Sequence, residues 1–230
     1  MSAIRYGSFE LLIFDCYGTL IDWERGITDA LRPIAAAHRV EATDEDLLAS
    51  FARHEHAAEE GGPLYREVLA RTLDAIGGEF AFLPTAAERT AFGGSVADWP
   101  AFPDSADALA RLKTTYKLGV ITNCDDDLFA ASAKKLGVEW DYVFTAQQIG
   151  SYKPDLRNFH YAYERVSEAN DRILHVAQSL FHDHGPAKAL GMTTVWINRQ
   201  GGEGGATPAS DAVPDAEFPD MRSFADAVEV

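Results

Sequence analysis

The sequence predicts an α/β fold, with a doubly wound, Rossmann-like parallel sheet as its core and an inserted helical cap. Three observations lead to this prediction. Several short apolar runs lack the alternation of polar and apolar residues that marks a half-exposed strand. Segments with helical spacing of apolar residues separate the later runs. Between the first and second runs, about a hundred residues show helical spacing only.

The apolar runs are the predicted strands, and they fall at residues 10–16, 117–122, 142–145, 173–177 and 193–197. Because these runs are continuous, we expect strands that are covered on both faces, as in a parallel sheet. Helical spacing at residues 106–116, 128–136 and 159–167 predicts the connecting helices. In such a sheet, functional residues gather at the carboxyl ends of the strands.

The chain divides into two predicted parts. Residues 22–96 form the helical cap, and residues 1–21 together with 97–230 form the α/β core. Apolar residues in the cap recur at intervals of three and four positions, which is typical of amphipathic helices. In the second part of the core, the glycine-rich stretch 201–208 is a predicted flexible loop.

Composition limits the classes of partner. The 230 residues carry a formal net charge of −16 at pH 7, so neither nucleic acid nor an anionic membrane surface is an expected partner. The sequence begins without an apolar signal region, and no run approaches the length of a spanning helix, so we expect a cytoplasmic protein. In that setting we expect Cys16 and Cys124 to be free thiols.

Polar side chains follow the predicted strands in four segments, at residues 15–19, 121–123, 151–155 and 175–183. Each segment alone has an ordinary structural explanation, such as a helix cap or a turn. The carboxyl ends of parallel strands meet at one edge of a sheet, so the four segments would bring a carboxylate, hydroxyls, an amide and an ammonium together. This combination predicts an active site.

Asp15 is the predicted nucleophile, a carboxylate that would form an ester with the substrate. Lys153 would keep Asp15 ionised and lower its pKa. Asp183 would pair with Lys153 or position a hydrolytic water. The side chains that would donate to a substrate oxyanion or orient the nucleophile are Thr19, Thr122 and Asn123.

These segments resemble the motifs of the haloacid dehalogenase superfamily, and the resemblance covers essentially the whole chain. The matching motifs are Asp-x-x-Gly-Thr-Leu at 15–20, Thr-Asn at 122–123, Lys-Pro at 153–154 and the late Asp183. They follow the order and approximate spacing of that family. The resemblance implies the same α/β core and helical cap that the apolar spacing predicts.

Within that superfamily, the resemblance is greatest to the branch that attacks carbon. Similarity to (S)-2-haloacid dehalogenases lies in residues 14–20, 151–154 and 196–199. Similarity to L-azetidine-2-carboxylate hydrolase, a ring-opening relative, lies in residues 22–24, 99–103, 150–154 and 182–184. The resemblance implies a small carboxylate as substrate, and a homodimer, since dimers are common in this branch.

Tyr17 and Gln178 distinguish this chain from the phosphatases of the family, which carry an acid at each of these positions. One acid protonates the leaving alcohol and the other holds Mg²⁺. A tyrosine with an ordinary pKa of about 10 donates a proton poorly at neutral pH, and a neutral amide is a weak Mg²⁺ ligand. We therefore expect no metal and no cofactor. A Mg²⁺-dependent phosphatase stays an alternative because Asp183 could still bind a metal.

Further side chains are predicted to contact the substrate. In the dehalogenases a cap arginine holds the substrate carboxylate or the halide, and Arg53 is the nearest candidate, with a solvated arginine as the alternative. Trp23 would form a wall of the pocket or pack the cap against the core. The other predicted substrate contacts are Tyr17, Gln178, Ser179 and His184. His184, like His182, would orient the neighbouring Asp183 rather than bind zinc, since adjacent positions rarely converge on one ion.

The predicted function is hydrolysis at C2 of a small 2-substituted carboxylic acid through an ester on Asp15. A 2-haloacid is the first expectation, because halide leaves as an anion and needs no proton. The alternative is ring opening of azetidine-2-carboxylate, in which a C–N bond breaks. The histidines around Asp183 favour this alternative because an amine leaving group needs a proton.

Overall fold

The computed structural model describes residues 4–201 and 210–228. Of the predicted flexible loop, residues 202–208 lie outside the described part of the chain. The described residues form a six-stranded sheet in the order β3-β2-β1-β4-β5-β6, and every neighbouring pair of strands is parallel. The predicted fold class is therefore confirmed.

The strands are β1 (Leu11–Phe14), β2 (Lys117–Thr122), β3 (Tyr142–Thr145), β4 (Ile173–Ala177), β5 (Thr193–Ile197) and β6 (Ala216–Phe218). All five strands predicted from apolar runs are present, and β6 was not predicted. Strand β1 lies between β2 and β4, where Ile13 pairs with Gly119 on one side and His175 on the other. Its four residues are buried, as expected for a strand covered on both faces.

The α-helices are α1 (Trp23–Ala37), α2 (Asp44–Ala58), α3 (Tyr65–Glu79), α4 (Ala86–Gly94), α5 (Ser105–Leu112), α6 (Asp126–Leu136), α7 (Ala146–Ile149), α8 (Leu156–Tyr163), α9 (Gly185–Ala189) and α10 (Met221–Val228). A short π-helical turn, Leu180–His184, precedes α9. None of the helices in residues 4–201 and 210–228 is both long and apolar enough to cross a bilayer.

Helices α1 to α4 lie between β1 and β2 in the sequence, within the stretch predicted as the cap. The local sequence explains where α2 begins. The Thr43 hydroxyl accepts the backbone N–H of Asp46 at 3.1 Å, and the Asp46 carboxylate accepts the backbone N–H of Thr43 at 2.9 Å. The division into a core (1–21 and 97–230) and a cap (22–96) stays a prediction.

Trp99, in the segment that leads from α4 back to the sheet, is buried against α1. Its indole N–H donates to Ser95 Oγ at 3.2 Å. A Cβ atom at Gly26 of α1 would lie 2.2 Å from the Trp99 ring. Glycine is therefore required where α1 crosses this ring. The Trp99 and Tyr17 rings also contact each other, with centroids 5.5 Å apart and planes at 88°.

The loop after β2 connects the sheet to α3. The Asp125 carboxylate is buried and accepts the backbone N–H groups of Tyr65 at 2.7 Å and Arg66 at 3.2 Å. It also pairs with the Arg66 guanidinium at 3.1 Å. Asp125 therefore caps the first turn of α3 from a distant part of the sequence, where a carboxylate is favoured by the exposed N–H groups and the helix dipole.

Candidate active site

Asp15 follows β1 and continues its pairing by one hydrogen bond, from its backbone N–H to the carbonyl of Val176 at 3.0 Å. The chain then leaves the sheet in a tight turn, which is why β1 is shorter than predicted. At its centre, Gly18 has φ +94°, and a Cβ there would approach the side-chain oxygen of Gln178 to 3.2 Å. Only glycine adopts this conformation without strain, and the turn leaves the Asp15 carboxylate at the sheet edge.

Lys153 joins Asp15 to Asp183. Its ammonium lies 2.8 Å from Asp15 Oδ1, 2.9 Å from Asp183 Oδ1 and 2.9 Å from the carbonyl oxygen of Ile121. The three N–H groups of the ammonium therefore have one acceptor each. The Lys153 side chain is only 2% exposed. We call Asp15, Lys153 and Asp183 the carboxylate–lysine triad.

The two carboxylates of the triad differ electrostatically. Burial raises the pKa of Asp15, although Lys153 and the Thr19 hydroxyl both act to lower it. The predicted lowering by Lys153 is thus present but is outweighed by desolvation. Burial also acts to raise the pKa of Asp183, but Lys153 and His175 outweigh it and hold that pKa below its ordinary value. Lys153 has a raised pKa because the two carboxylates outweigh its burial.

Thr19 orients the Asp15 carboxylate. Its hydroxyl donates to Asp15 Oδ2 at 2.7 Å and accepts the backbone N–H of Gln178 at 2.8 Å. Both oxygens of Asp15 are thus held, one by Thr19 and the other by Lys153. This arrangement fixes the rotation of the carboxylate and joins the loops after β1 and β4.

Asn123 contacts the backbone of Lys153 with both ends of its amide. Its oxygen accepts the N–H of Lys153 at 2.7 Å, and its nitrogen donates to the carbonyl of Lys153 at 3.0 Å. Asn123 is thus placed to hold Lys153 as well as to line the cavity beside it. Thr122 is 1% exposed, and its hydroxyl has no hydrogen-bond partner among the described residues.

A cavity of about 70 Å³ lies over Asp15, between the sheet edge and helices α1 to α3. The sheet edge contributes Asp15, Tyr17, Asn123, Lys153, Gln178, Ser179, His182 and Asp183. The helices contribute Trp23, Phe51, Ala52, Glu55, His56 and Tyr65. The cavity is small enough to favour a substrate of a few heavy atoms.

Tyr17 lies at the predicted position but directs its hydroxyl away from Asp15. The phenol oxygen lies 3.2 Å from Cys124 Sγ and 3.1 Å from Ser132 Oγ. Burial raises the pKa of Tyr17 well above its ordinary value. Tyr17 therefore contributes a ring to the cavity wall, while its proton is held between β2 and α6. Cys16 and Cys124 are both buried free thiols.

Ser179 and His182 form a hydrogen-bonded pair at the cavity. The Ser179 hydroxyl accepts the backbone N–H of His182 at 2.9 Å and lies 3.0 Å from its ring atom Nδ1. Burial lowers the pKa of His182 to about 4, so the ring is neutral at pH 7. With Nδ1 as the acceptor from Ser179, the ring proton is on Nε2.

Three of the predicted substrate-binding residues, Arg53, Thr122 and His184, do not line the cavity. Arg53 lies on an exposed face of α2 and pairs with Glu79. His184 is fully buried, and its Nε2 donates to the carbonyl of Ala177 at 3.0 Å. The spacing of residues along a helix did not reveal which way Arg53 points.

Two residues of the site were not predicted from the sequence. Glu55 lines the cavity from α2, one helical turn after the buried Phe51, so the signal was an acid on the apolar face of an amphipathic helix. The second is His175 in β4, for which the sequence predicted no role. Its Nε2 lies 2.9 Å from Asp183 Oδ1, and the alternation of side chains along β4 carried no indication of this contact.

Mg²⁺, which the phosphatases of this superfamily use, fits these side chains poorly. Both oxygens of Asp15 and one oxygen of Asp183 already accept hydrogen bonds from Lys153, Thr19 or His175. The buried ammonium lies between the two carboxylates, where Mg²⁺ would require several free oxygen ligands. Among the described residues, no group of three or more histidine, cysteine, aspartate or glutamate side chains is arranged to hold a metal ion.

Known proteins are similar to this chain in both sequence and fold. Residues 9–191 match the family of haloacid dehalogenase-like hydrolases. The chain is 34% identical to (S)-2-haloacid dehalogenase 4A of Burkholderia cepacia over 104 residues, which are 44% of this chain and 45% of that protein. It is 24% identical to (S)-2-haloacid dehalogenase 1 of Pseudomonas sp. strain CBS-3 over 196 residues, which are 81% and 83% of the two chains.

The match to the Burkholderia enzyme thus spans about half of that relative's length. Among solved structures, L-2-haloacid dehalogenase from Xanthobacter autotrophicus with chloropropionic acid covalently bound superposes with a TM-score of 0.80. That pair is 18% identical and covers 96% of this chain and 98% of the other. The predicted family resemblance is confirmed, because the family match spans most of the sequence. The chain belongs to the haloacid dehalogenase-like hydrolases.

Proposed function

We propose that this hydrolase acts on 2-haloacids, with Asp15 as the nucleophile. The carboxylate of Asp15 attacks C2 from the side opposite the halogen, an O–C2 bond forms, and halide leaves with the electron pair of the C–halogen bond. Water then attacks the ester carbonyl of Asp15. The product is a 2-hydroxy acid with inverted configuration at C2.

The arrangement of Asp15 carries this proposal. Its carboxylate lies at the floor of a small cavity, with one oxygen held by Lys153 at 2.8 Å and the other by Thr19 at 2.7 Å. The ammonium stabilises the ionised form that displacement requires. The names of the relatives, which are (S)-2-haloacid dehalogenases, support the substrate class.

Asp183 suits the second step. Its Oδ1 is held by Lys153 and His175, whereas its Oδ2 accepts no hydrogen bond from the described residues. Asp183 lines the cavity and shares the Lys153 ammonium with Asp15, which places its carboxylate near the ester carbonyl that water would attack. The proton released by that water needs an acceptor, and a hydrogen-bonded carboxylate next to Lys153 supplies one.

A halide leaving group is compatible with the side chains near Asp15, because Tyr17 does not offer a proton there. The hydroxyl of Tyr17 is directed toward Cys124 and Ser132, and halide needs no proton donor. A Mg²⁺-dependent phosphatase is less well supported, because the oxygens that would bind the metal are engaged by Lys153 and Thr19. Ring opening of azetidine-2-carboxylate would use the same nucleophile and the same carbon, but the relatives named above do not favour it.

Oxygen-18 labelling tests the ester mechanism. In a single turnover of (S)-2-chloropropionate in H₂¹⁸O with EDTA present, one ¹⁸O atom is expected in the peptide that contains Asp15, because water attacks that carbonyl. Mass spectrometry of the digested protein measures the label, and Asp15→Asn is the control without a nucleophile. Label found in the hydroxy acid alone would reject the ester.

A cytoplasmic location and a homodimer stay predictions.

A further inference from the structure

His182 lines the cavity beside Asp183, and the steps above do not use it. It lies in the π-helical turn Leu180–His184, a kind of turn that is frequent at functional sites. The ring is mostly buried, and the charges of Asp183 and Lys153 both act on it. His182 is therefore close to the carboxylate–lysine triad, although it forms none of the hydrogen bonds that hold the triad together.

The ring of His182 carries an N–H group that the protein does not use. Ser179 Oγ accepts the backbone N–H of His182 at 2.9 Å, and the acceptor for its own proton among the described residues is Nδ1, 3.0 Å away. Nδ1 is thus an acceptor, and Nε2 carries the ring proton. Nε2 has no hydrogen-bond partner in the described part of the chain and is not one of its solvent-inaccessible polar atoms. A donor held in orientation by Ser179 is therefore available to a molecule in the cavity.

Several other donors near the cavity are engaged by the protein. All three N–H groups of Lys153 contact protein oxygens, and the Asn123 amide bonds the backbone of Lys153. The Tyr17 hydroxyl points away from Asp15, and the predicted cap cation, Arg53, forms its ion pair outside the cavity. Within residues 4–201 and 210–228, the cavity thus offers the carboxylate of a 2-haloacid no uncommitted permanent cation.

The direction of attack determines where the substrate carboxylate lies. The attacking oxygen of Asp15, C2 and the halogen must lie on one line, so the halogen points from the sheet edge toward helices α1 to α3. The carboxylate on C2 therefore extends sideways, along the sheet edge. Toward β2, the amide of Asn123 is already bonded to Lys153. Toward β4, His182 offers its free N–H.

Two further cavity residues, Gln178 and Trp23, also have side-chain donors without a hydrogen-bond partner among the described residues. Both side chains lie over the turn at Gly18, where Gln178 Oε1 and Trp23 Nε1 are each 3.2 Å from the position that a Cβ atom would take. No hydrogen bond from the described residues fixes the orientation of either group. His182 differs because Ser179 holds its ring, and a donor that is fixed before binding loses less entropy when the substrate arrives.

We propose that the Nε2–H of His182 binds the carboxylate of the 2-haloacid, so that a neutral imidazole recognises the anion. This inference rests on the proposed attack of Asp15 at C2 and adds a substrate-binding residue to it. A hydrogen bond to a charged acceptor is about twice as strong as a neutral one. A second cation beside Asp15 would pair with that carboxylate and weaken the nucleophile, whereas a neutral donor does not. The imidazole keeps its proton through both steps.

Binding is best measured at pH 6. Burial lowers the pKa of His182 to about 4, so its ring is neutral there. Burial raises the pKa of Glu55, on the helical wall of the cavity, to about 7, so its carboxyl group is mostly protonated and repels the substrate little. The other titratable groups whose charges act on the His182 ring are Lys153, Asp183 and His56.

Two ligands of matched shape test the proposal. (S)-2-chloropropionate is an anion, and (S)-2-chloropropionamide is its neutral counterpart. Calorimetry at pH 6 on the full chain with Asp15→Asn, which prevents turnover, measures both dissociation constants. Adding His182→Phe keeps a ring and removes the N–H. We expect the anion to bind on the order of 10- to 100-fold more weakly, and the amide to lose only about threefold.

His56→Phe is the matched control in the same background. It removes another histidine that lines the cavity, whose Nδ1 pairs with Glu59 at 3.3 Å, and it should leave both dissociation constants nearly unchanged. His182→Gln retains an N–H donor and should recover part of the affinity for the anion. Equal losses for the two ligands in His182→Phe, or no loss for either, would overturn the proposal.

Ser179→Ala provides a second route if His182→Phe does not fold. It releases the His182 ring from its hydrogen bond, so the anion should again lose more affinity than the amide, and equal losses count against the proposal. The labelling experiment separates the two claims. Label in Asp15 with equal losses rejects only the role of His182. A selective loss of the anion without label in Asp15 rejects only the ester mechanism.

Discussion

Lys153 illustrates how this fold tolerates a buried charge. An ammonium is a compact cation with three donors, and here three oxygens surround it at 2.8 to 2.9 Å. A charge that is removed from water is tolerated only when it is paired and its hydrogen bonds are made. A planar guanidinium could not direct its five N–H groups into the same small space. The site therefore specifies lysine at this position rather than positive charge alone.

His175 is expected to position Asp183 for the hydrolysis of the ester. His175→Phe removes the donor to Asp183 Oδ1, which lies 2.9 Å away, and keeps a ring against Phe159. We expect ester hydrolysis to slow by about 10- to 100-fold, with a smaller effect on ester formation. Stopped-flow mixing followed by mass spectrometry should then detect accumulated ester on Asp15.

His175→Gln is the matched variant, since an amide can still donate to Asp183, and it should restore part of the hydrolysis rate. A general loss of packing would slow both steps alike and leave no accumulated ester. That outcome would assign His175 a purely structural role.

At the scale of elements, the contact between α1 and Trp99 joins the four helices after β1 to the segment that returns to the sheet. Gly26→Ala would place a methyl group 2.2 to 2.7 Å from atoms of the Trp99 side chain. We expect a loss of about 2 to 3 kcal/mol in the free energy of unfolding, the cost typical of overpacking. Urea denaturation measures it.

Gly78→Ala in α3 is the control for this substitution. A Cβ there has no heavy atom within 4 Å among the described residues considered, so the gain in helix propensity of up to about 1 kcal/mol should appear undiminished. If both alanines stabilised the protein, the close approach of α1 to Trp99 would not describe the protein in solution.

The positions of the strands could be predicted from the sequence most accurately. The direction in which side chains on the helices point could be predicted least accurately. Runs such as 173–177 and 193–197 coincide with β4 and β5, because continuous apolar sequence has few other uses in a parallel sheet. Strand β6 was not predicted because it has only three residues, which are at most partly buried, and so lacks a continuous apolar run. On α2, Arg53 and Glu55 are two positions apart and face different surroundings, which depends on how the helix packs against its neighbours.

The sequence predicted that Asp15, Lys153 and Asp183 meet at one edge of the sheet. That prediction needed no side-chain detail, because the carboxyl ends of parallel strands lie at the same edge. The network that holds them did not follow from that rule. The amide of Asn123 bonds the backbone of Lys153, and the hydroxyl of Tyr17 reaches Cys124. Such contacts depend on the paths of loops, which sequence spacing does not specify.

For the molecule as a whole, two buried histidines oppose folding in mild acid, whereas Glu55 and Glu59, whose pKa values burial raises, act in the opposite direction. Burial lowers the pKa of both His182 and His184 to about 4, whereas an unfolded histidine has a pKa of about 6.5. Between these values an unfolded histidine binds a proton that the folded one does not, so the contribution of these two histidines to stability falls as pH falls from about 6.5 to 4. The buried His184 alone would contribute up to about 3 kcal/mol.

His184→Gln keeps an N–H donor for the carbonyl of Ala177 and cannot titrate, so it should flatten this dependence. The free energy of unfolding at pH 7 and pH 5, obtained from urea denaturation, measures the difference. His160→Gln removes an exposed histidine of α8 and serves as the control. An unchanged pH dependence in His184→Gln would show that another group is responsible.

Three consecutive residues after β2 serve different parts of the site. Asn123 holds Lys153, Cys124 accepts the hydroxyl of Tyr17, and Asp125 caps α3, whose first residue lines the far wall. A shift in the path of this loop therefore moves both Lys153, the partner of Asp15, and the opposite wall of the cavity. For directed evolution of new substrate preferences, this makes residues 123–125 a poor place to randomise. The cavity-facing positions of α2 offer variation that leaves the triad's hydrogen bonds intact.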